Sequence, residues 1–170
     1  AFVTTDPFAF LLGVVFDQGI LAERAWAGPW QLRQRLGHLD PARLAADLPA
    51  IRDAVVAQPM LHRYIDRVPR WIQAAAEIVT TRYRGDAAAI WNDQPTARQL
   101  FQRLDAFPGI GQKKAAMAVE ILASEYYGDN GPSPEKALET GVQRANLQIY
   151  QFGHGSKNGH GPMGTTLTAV

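Results

Sequence analysis

The chain has 170 residues, of which 46% are hydrophobic and 19% charged, and its formal net charge at pH 7 is +1. This balance is typical of a globular domain and excludes a disordered chain or a broad cationic stripe for nucleic acid. The absence of cysteine excludes disulfides, thiol nucleophiles and cysteine-bound iron–sulfur clusters. The longest apolar run, Pro7–Phe16, is shorter than a membrane span, so we expect a protein that does not enter a membrane.

Helix start signals recur along the first 128 residues. Asp6-Pro7 and Asp40-Pro41 each pair an N-capping side chain with proline at the first helical position, and Val68-Pro69 opens a further run. Thr96 is the predicted cap of a segment whose apolar residues recur at spacings of three and four. No segment alternates polar and apolar residues over a convincing length. The sequence therefore predicts an all-α fold.

A glycine-rich turn interrupts the helical pattern in "FPGIGQKKAAMAVEIL", where Pro108-Gly109-Ile110-Gly111 separates two helices. The second helix is predicted to begin near Gln112 and to end before Gly128. Its first amides lack partners within the helix and, with the helix dipole, favour an anion such as a phosphate of nucleic acid. Lys113 and Lys114 place positive charge against that dipole, which suggests an anionic ligand. A simple turn between helices is the alternative.

Two segments, "PFAFLLGVVFDQGILAERAWAG" and "FPGIGQKKAAMAVEIL", together with the helical spacer between them, resemble the helix-hairpin-helix DNA glycosylase superfamily, which includes endonuclease III. The resemblance covers residues 7–127, about two thirds of the chain. It implies a helical barrel over residues 20–128 that contains the helix-hairpin-helix at about 98–127. A second lobe would combine residues 1–19 and 129–152, followed by a glycine-rich tail at 153–170. The active site would lie in the cleft between the lobes.

The resemblance also implies the activity, the partner and the location. The protein would be a base-excision repair glycosylase that removes a flipped, damaged or mismatched base from double-stranded DNA, with or without AP-lyase activity. We expect a cytoplasmic, nucleoid-associated monomer. There are two rival hypotheses. One is a module that still binds DNA through its hairpin but has lost catalysis, and the other is a purely structural helical domain.

The catalytic residues are carried over from the family motif. Lys113, two positions after the second hairpin glycine, matches the nucleophile, which must attack the sugar as a neutral amine. Lys114 would be an electrostatic contact. The segment "LETGVQRA" places Glu139 where the family has its catalytic aspartate and Gly141 where it has a histidine, and Asp129 is a weaker substitute for the carboxylate. Alternatively, Lys113 contacts phosphate and Glu139 is a solvated helix residue.

The remaining predicted site residues bind DNA. Gln18 matches a glutamine that enters the space left by the flipped nucleotide, or else it caps the end of the first long helix, beside a helix-end charge at Asp17. The resemblance also admits a sodium or potassium ion at the hairpin. The residues expected to hold the DNA backbone are Gly109, Ile110, Gly111, Gln112 and Lys114.

Other conspicuous side chains have simpler explanations. His154 and His160 match no metal-ligand spacing, and we expect them to be solvated, so no metal or iron–sulfur cofactor is predicted from the side chains. The four tryptophans lie within apolar helical patterns and are predicted to pack in the core: Trp26, Trp30, Trp71 and Trp91. His62 and Tyr64 occupy a turn-like segment, and the sequence assigns them no role.

Overall fold

A computed structural model describes residues 2–126, with side chains to residue 124. These residues contain helices and no strand, which confirms the all-α class within this range. The chain divides into two compact units, Ala1–Val119 and Glu120–Val170, and the second is described only over residues 120–126. The elements are α1 Phe2–Thr5, α2 Pro7–Phe16, α3 Ala22–Leu36, α4 Pro41–Ala46, α5 Leu48–Val56, α6 Arg67–Arg82, a 3₁₀ turn Ala87–Ile90, α7 Ala97–Asp105 and α8 Gln112–Tyr126.

The predicted helix starts are confirmed where a polar side chain caps them. The Asp6 carboxylate accepts hydrogen bonds from the first-turn amides of α2, and Asp40 does the same for α4. Thr96 and Gln99 form a reciprocal capping box at the start of α7. The start of α6 differs from the prediction: the helix begins at Arg67, before the Val68-Pro69 pair. Pro69 is the third residue of α6, where an amide N–H would have no acceptor within the helix, so the helix can start ahead of the proline.

Helix α2 is the centre of the first unit. Every residue from Phe8 to Phe16 is buried, and the helix packs against α3, α6 and the 3₁₀ turn. Two glycines let α2 and α3 approach closely. A methyl group at Gly13 would lie 2.5 Å from the Trp26 ring, and one at Gly28 would lie 2.9 Å from the Phe16 ring. Each helix therefore presents one glycine to an aromatic ring of the other.

The tryptophan prediction holds only in part. Trp91 is buried, and Trp26 and Trp71 are partly buried against glycines. For Trp30 the prediction is wrong, because its side chain is 50% exposed. The buried face of α3 is formed by residues spaced three and four apart, and Trp30 falls outside that stripe. The stripe consists of Ala25, Gly28, Pro29 and Leu32.

The predicted lobes and tail remain predictions. Residues 1–19 lie in the same compact unit as residues 20–119. Residues 129–152, the tail at 153–170 and the predicted helix stop at Gly128 lie outside the described residues. Among the helices of residues 2–126, none is long and apolar enough to cross a membrane.

Candidate nucleic-acid interface

The turn between α7 and α8 is a hydrogen-bonded turn of four residues. Ile110 N–H donates to Phe107 O at 2.9 Å, with Pro108 in the second position and Gly109 in the third at φ +83°. Proline followed by a residue with positive φ is the sequence requirement of a type II turn. The side chains of Phe107 and Ile110 are buried and anchor both ends of the turn. The predicted contact of Ile110 with DNA could therefore involve only its backbone.

The two turn glycines face different surroundings. A Cβ atom added at Gly109 would lie 2.5 Å from the Trp71 ring, whereas one added at Gly111 would meet nothing within 4 Å in the described residues. Gly109 is therefore required by the turn and by packing against α6. Gly111 is exposed, and its open side leaves room for another molecule's backbone.

Helix α8 begins directly after this open glycine. Its first hydrogen bond runs from Ala115 N–H to Gly111 O at 2.9 Å, so the preceding amides are those that an α-helix leaves without intrahelical acceptors. Gln112 and Lys113 are both exposed in the first turn. The start of α8 therefore combines amide donors, the positive end of the helix dipole and the cation of Lys113 beside the exposed Gly111.

Lys114 occupies a different environment from its neighbour Lys113. Its side chain is partly buried, and Nζ donates to Gly109 O at 2.8 Å and to Val15 O, at the end of α2, at 3.1 Å. Nζ also lies 5.7 Å from the centre of the Trp71 ring. Burial lowers the pKa of Lys114 to about 8, although the nearby charge of Asp17 acts to raise it.

His62 holds the same end of α2 from a second direction. Its ring is fully buried, Nδ1 accepts from Tyr64 N–H at 3.0 Å, and Nε2 lies 3.2 Å from Phe16 O. These partners assign the neutral tautomer that carries its proton on Nε2 and donates it to Phe16 O. Burial is the largest cause that lowers the pKa of His62, and the charge of Lys114 lowers it further, while the bond to Phe16 acts in the opposite direction.

Cationic side chains surround the loop that follows α2. Arg63 Nη2 donates to Tyr64 Oη at 2.6 Å, and both side chains lie close to Gly19. Arg24 Nη2 donates to Met60 O at 2.5 Å. The charges of Arg24 and Arg63 both act on His62. Sequence reasoning gave these residues no role, because only the tertiary fold brings residues 60–64 to the end of α2.

The predicted site residues fall into two groups. Gln18 is partly buried at the end of α2, and the hairpin residues and both lysines lie at the start of α8. Glu139, Gly141, Asp129 and both tail histidines, His154 and His160, lie outside the described residues. Their predicted roles therefore remain predictions.

Among the described residues, no group of three or more His, Cys, Asp or Glu side chains could hold a metal ion. Two backbone oxygens around the turn, Phe107 O and Gly109 O, already accept hydrogen bonds from the chain. An alkali cation at the hairpin remains a prediction from the resemblance.

Comparisons with family models, with curated proteins and with solved structures found no match to this chain.

The contrast between the turn glycines predicts unequal effects on stability. Gly109→Ala should lower the free energy of unfolding by about 2–4 kcal/mol, because the new side chain is strained at positive φ and collides with Trp71. Gly111→Ala is the matched control and should cost less than about 1 kcal/mol. Urea denaturation monitored by circular dichroism measures both. Equal costs would contradict the assigned packing of Gly109.

Because His62 is buried, we expect the folded protein to lose stability in mild acid. An unfolded histidine takes up a proton below about pH 6.5, whereas burial resists protonation of His62 in the folded protein. Stability due to this residue is therefore full above that pH and falls as the pH decreases towards the folded pKa. His62→Asn should flatten the profile between pH 7.5 and 5.5, and should cost about 1–3 kcal/mol at pH 7.5.

His38→Asn is the control for that profile. The pKa of His38 is also lowered by burial, but its side chain is more exposed than that of His62. The His38 variant should therefore retain most of the pH dependence, again measured by urea denaturation. A profile that His62→Asn leaves unchanged would refute the assignment.

Proposed function

We propose that the protein binds double-stranded DNA through the α7–α8 hairpin and excises a damaged or mismatched base as a DNA glycosylase, with or without subsequent strand cleavage. The observation that carries the proposal is the open side of Gly111 at the positive end of α8. A DNA phosphate fits this point because it needs amide donors and close backbone approach, and both are available there.

The charges around the hairpin support a local contact with DNA. Trp71, near the start of α6, packs against Gly109. Arg67 and Arg70 are exposed in the first turn of α6, directly before Trp71, and Lys113 is exposed in the first turn of α8. A small group of cations can position a DNA backbone even though the net charge of the whole chain is only +1.

The end of α2 is the proposed place where the extruded nucleotide is exchanged for a protein side chain. Gln18 lies in the loop after α2, next to Gly19, and the Arg63–Tyr64 pair lies close to Gly19. A polar side chain entering the base stack recovers part of the few kcal/mol that extrusion costs. This role of Gln18 is part of the proposal.

The proposed chemistry needs an amine and a carboxylate. The family motif assigns them to Lys113 and Glu139. A carboxylate would stabilise the positive charge that develops on the sugar as the glycosidic bond breaks. The amine would capture the sugar carbon as a Schiff base.

A binding module without catalysis is the second candidate. The observation that favours it is the exposure of Lys113, which suits a contact with phosphate. The substitution of glutamate for the family's aspartate at position 139 also favours it, because a misplacement of about 1 Å can reduce a rate by about a hundredfold. DNA binding without base release would decide for this candidate.

DNA affinity should depend on the hairpin. We expect Lys113→Ala to weaken binding to a duplex and to reduce the slope of log affinity against log salt by about 1, because one phosphate contact is lost. Gly111→Ala should weaken binding about tenfold while the fold survives, because its Cβ occupies the space proposed for the phosphate. Arg43→Ala, at an exposed arginine on α4, is the control. Fluorescence anisotropy at several salt concentrations measures all three, and undetectable binding at low salt would refute the proposal.

Base release should depend on Glu139. We expect Glu139→Gln to reduce excision from lesion-bearing duplexes by at least about a hundredfold, because the developing positive charge loses its carboxylate partner. DNA affinity should remain at the wild-type level. Single-turnover assays over a panel of damaged and mismatched duplexes measure the rate. Unchanged excision by the variant would remove Glu139 from the mechanism.

A further inference from the structure

Arg63 is an exposed cation whose side chain is already fixed by the protein. Its Nη2 donates to Tyr64 Oη at 2.6 Å, and its guanidinium carbon lies 4.8 Å from the centre of the Tyr64 ring. Nη2 also lies 3.2 Å from the position that a Cβ atom would occupy at Gly19, so a side chain there would crowd the guanidinium. Arg63 has therefore lost much of its rotamer freedom before any ligand binds.

Tyr64 is in turn held in place by its neighbours. Its N–H donates to His62 Nδ1 at 3.0 Å, and its carbonyl oxygen accepts from Val68 N–H, at the start of α6, at 3.1 Å. The centres of the Tyr64 ring and the buried His62 ring are 5.3 Å apart. Because His62 also bonds Phe16 O, the support of Arg63 runs back to the end of α2.

Within the range of described side chains, the charge of Arg63 has no carboxylate partner. Its hydrogen bond to Tyr64 uses one of the five donors that a guanidinium carries. Arg24 is a second exposed arginine in this region, where its Nη2 donates to Met60 O at 2.5 Å, and it too forms no ion pair within residues 2–124. The charges of both arginines act on His62. Two cations that lie close to the end of α2 thus remain available to an anion.

We infer that Arg63 holds a second phosphodiester of the DNA, distinct from the phosphate at the hairpin, because its guanidinium is fixed beside Gly19 with donors to spare and no carboxylate partner in the described part of the chain. The inference rests on the proposed function. It names the ligand class of the Arg63 site, which is a backbone phosphate beside the extruded nucleotide. The planar guanidinium matches a phosphate through two parallel N–H···O bonds, which a lysine cannot form.

The Arg63 site and the hairpin are both connected to the last turn of α2. Lys114 joins the hairpin to this turn, and His62 joins the same turn to the segment that carries Arg63. The protein therefore sets the spacing between the two proposed phosphate contacts. A strand held at two fixed points has a defined register on the protein, which phosphate contacts provide without reading the base sequence.

Salt-dependent DNA binding tests whether Arg63 contacts a phosphate. Arg63→Ala should weaken binding to a duplex and lower the slope of log affinity against log salt by about 1, because one phosphate contact is lost. Combined with Lys113→Ala, it should lower the slope by about 2, because the contacts are separate. Arg33→Ala is the matched control and should change neither quantity, because Arg33 is also exposed and lies 5.1 Å from the centre of an aromatic ring, but on Phe2 of α1. An unchanged slope in Arg63→Ala would overturn the inference.

Tyr64→Phe separates the fixing of Arg63 from its charge. The variant keeps the ring beside the guanidinium and removes only the Oη acceptor. The slope should stay at the wild-type value, while affinity should fall about threefold because the Arg63 side chain must now be ordered on binding. Arg63→Lys should behave in the same way, since it keeps the charge but loses the paired donors. Circular dichroism checks that each variant is folded, and wild-type affinity in both variants would contradict a pre-positioned guanidinium.

Neutral methylphosphonate groups locate the two contacts. They are placed one at a time in a duplex that carries a stable abasic-site analogue, and each removes one phosphate charge. We expect one position whose loss of affinity in the wild type disappears in Arg63→Ala but persists in Lys113→Ala, and another position with the reverse behaviour. A single position that responds to both variants would mean one shared phosphate, and the second site would have to be abandoned.

The failures of the inference and of the proposed function are distinguishable. DNA binding that depends on Lys113 and Gly111 but is indifferent to Arg63→Ala rules out the Arg63 site and leaves the proposed function standing. A wild-type protein that binds no duplex at low salt rules out both.

Discussion

The end of α2 is a buried helix terminus, and its carbonyl oxygens must be bonded within the protein. A buried carbonyl without a partner costs about 1–3 kcal/mol, and local backbone bonds satisfy only some of them. Lys114 donates to Val15 O and His62 donates to Phe16 O, from positions 99 and 46 residues away in the chain. These two side chains join the central helix to the hairpin and to the segment before α6. The surroundings of the candidate site follow from this requirement.

Capping the end of α2 in this way also fixes the hairpin. The second hydrogen bond of Lys114 ends on Gly109 O, and Gly109 packs on Trp71 of α6. One amine thus connects α2 and the turn, while an aromatic ring connects the turn and α6. Because Gly109 is committed to packing, only Gly111 keeps an open side for a ligand. The packing of Gly109 therefore also fixes the position of Gly111, two residues further along the chain.

Structural features that depend only on neighbouring residues could be predicted from the sequence. Caps at Asp6, Asp40 and Thr96 and the turn at Pro108-Gly109 depend on neighbouring residues, and each is present as predicted. The difference between the two lysines was not predictable, because adjacent helical residues differ by about 100° in direction and only the tertiary fold determines which one is buried. The same reason explains Trp30. The chemistry assigned to Glu139 depends on residues that the structure does not describe.

The two neighbouring lysines at the start of α8 occupy different surroundings. Lys114 Nζ bonds Gly109 O and Val15 O and so holds the hairpin on the end of α2. Lys113 is exposed, close to the open side of Gly111. A ligand at the hairpin would therefore meet Lys113 and the first amides of α8, while Lys114 fixes the backbone that presents them.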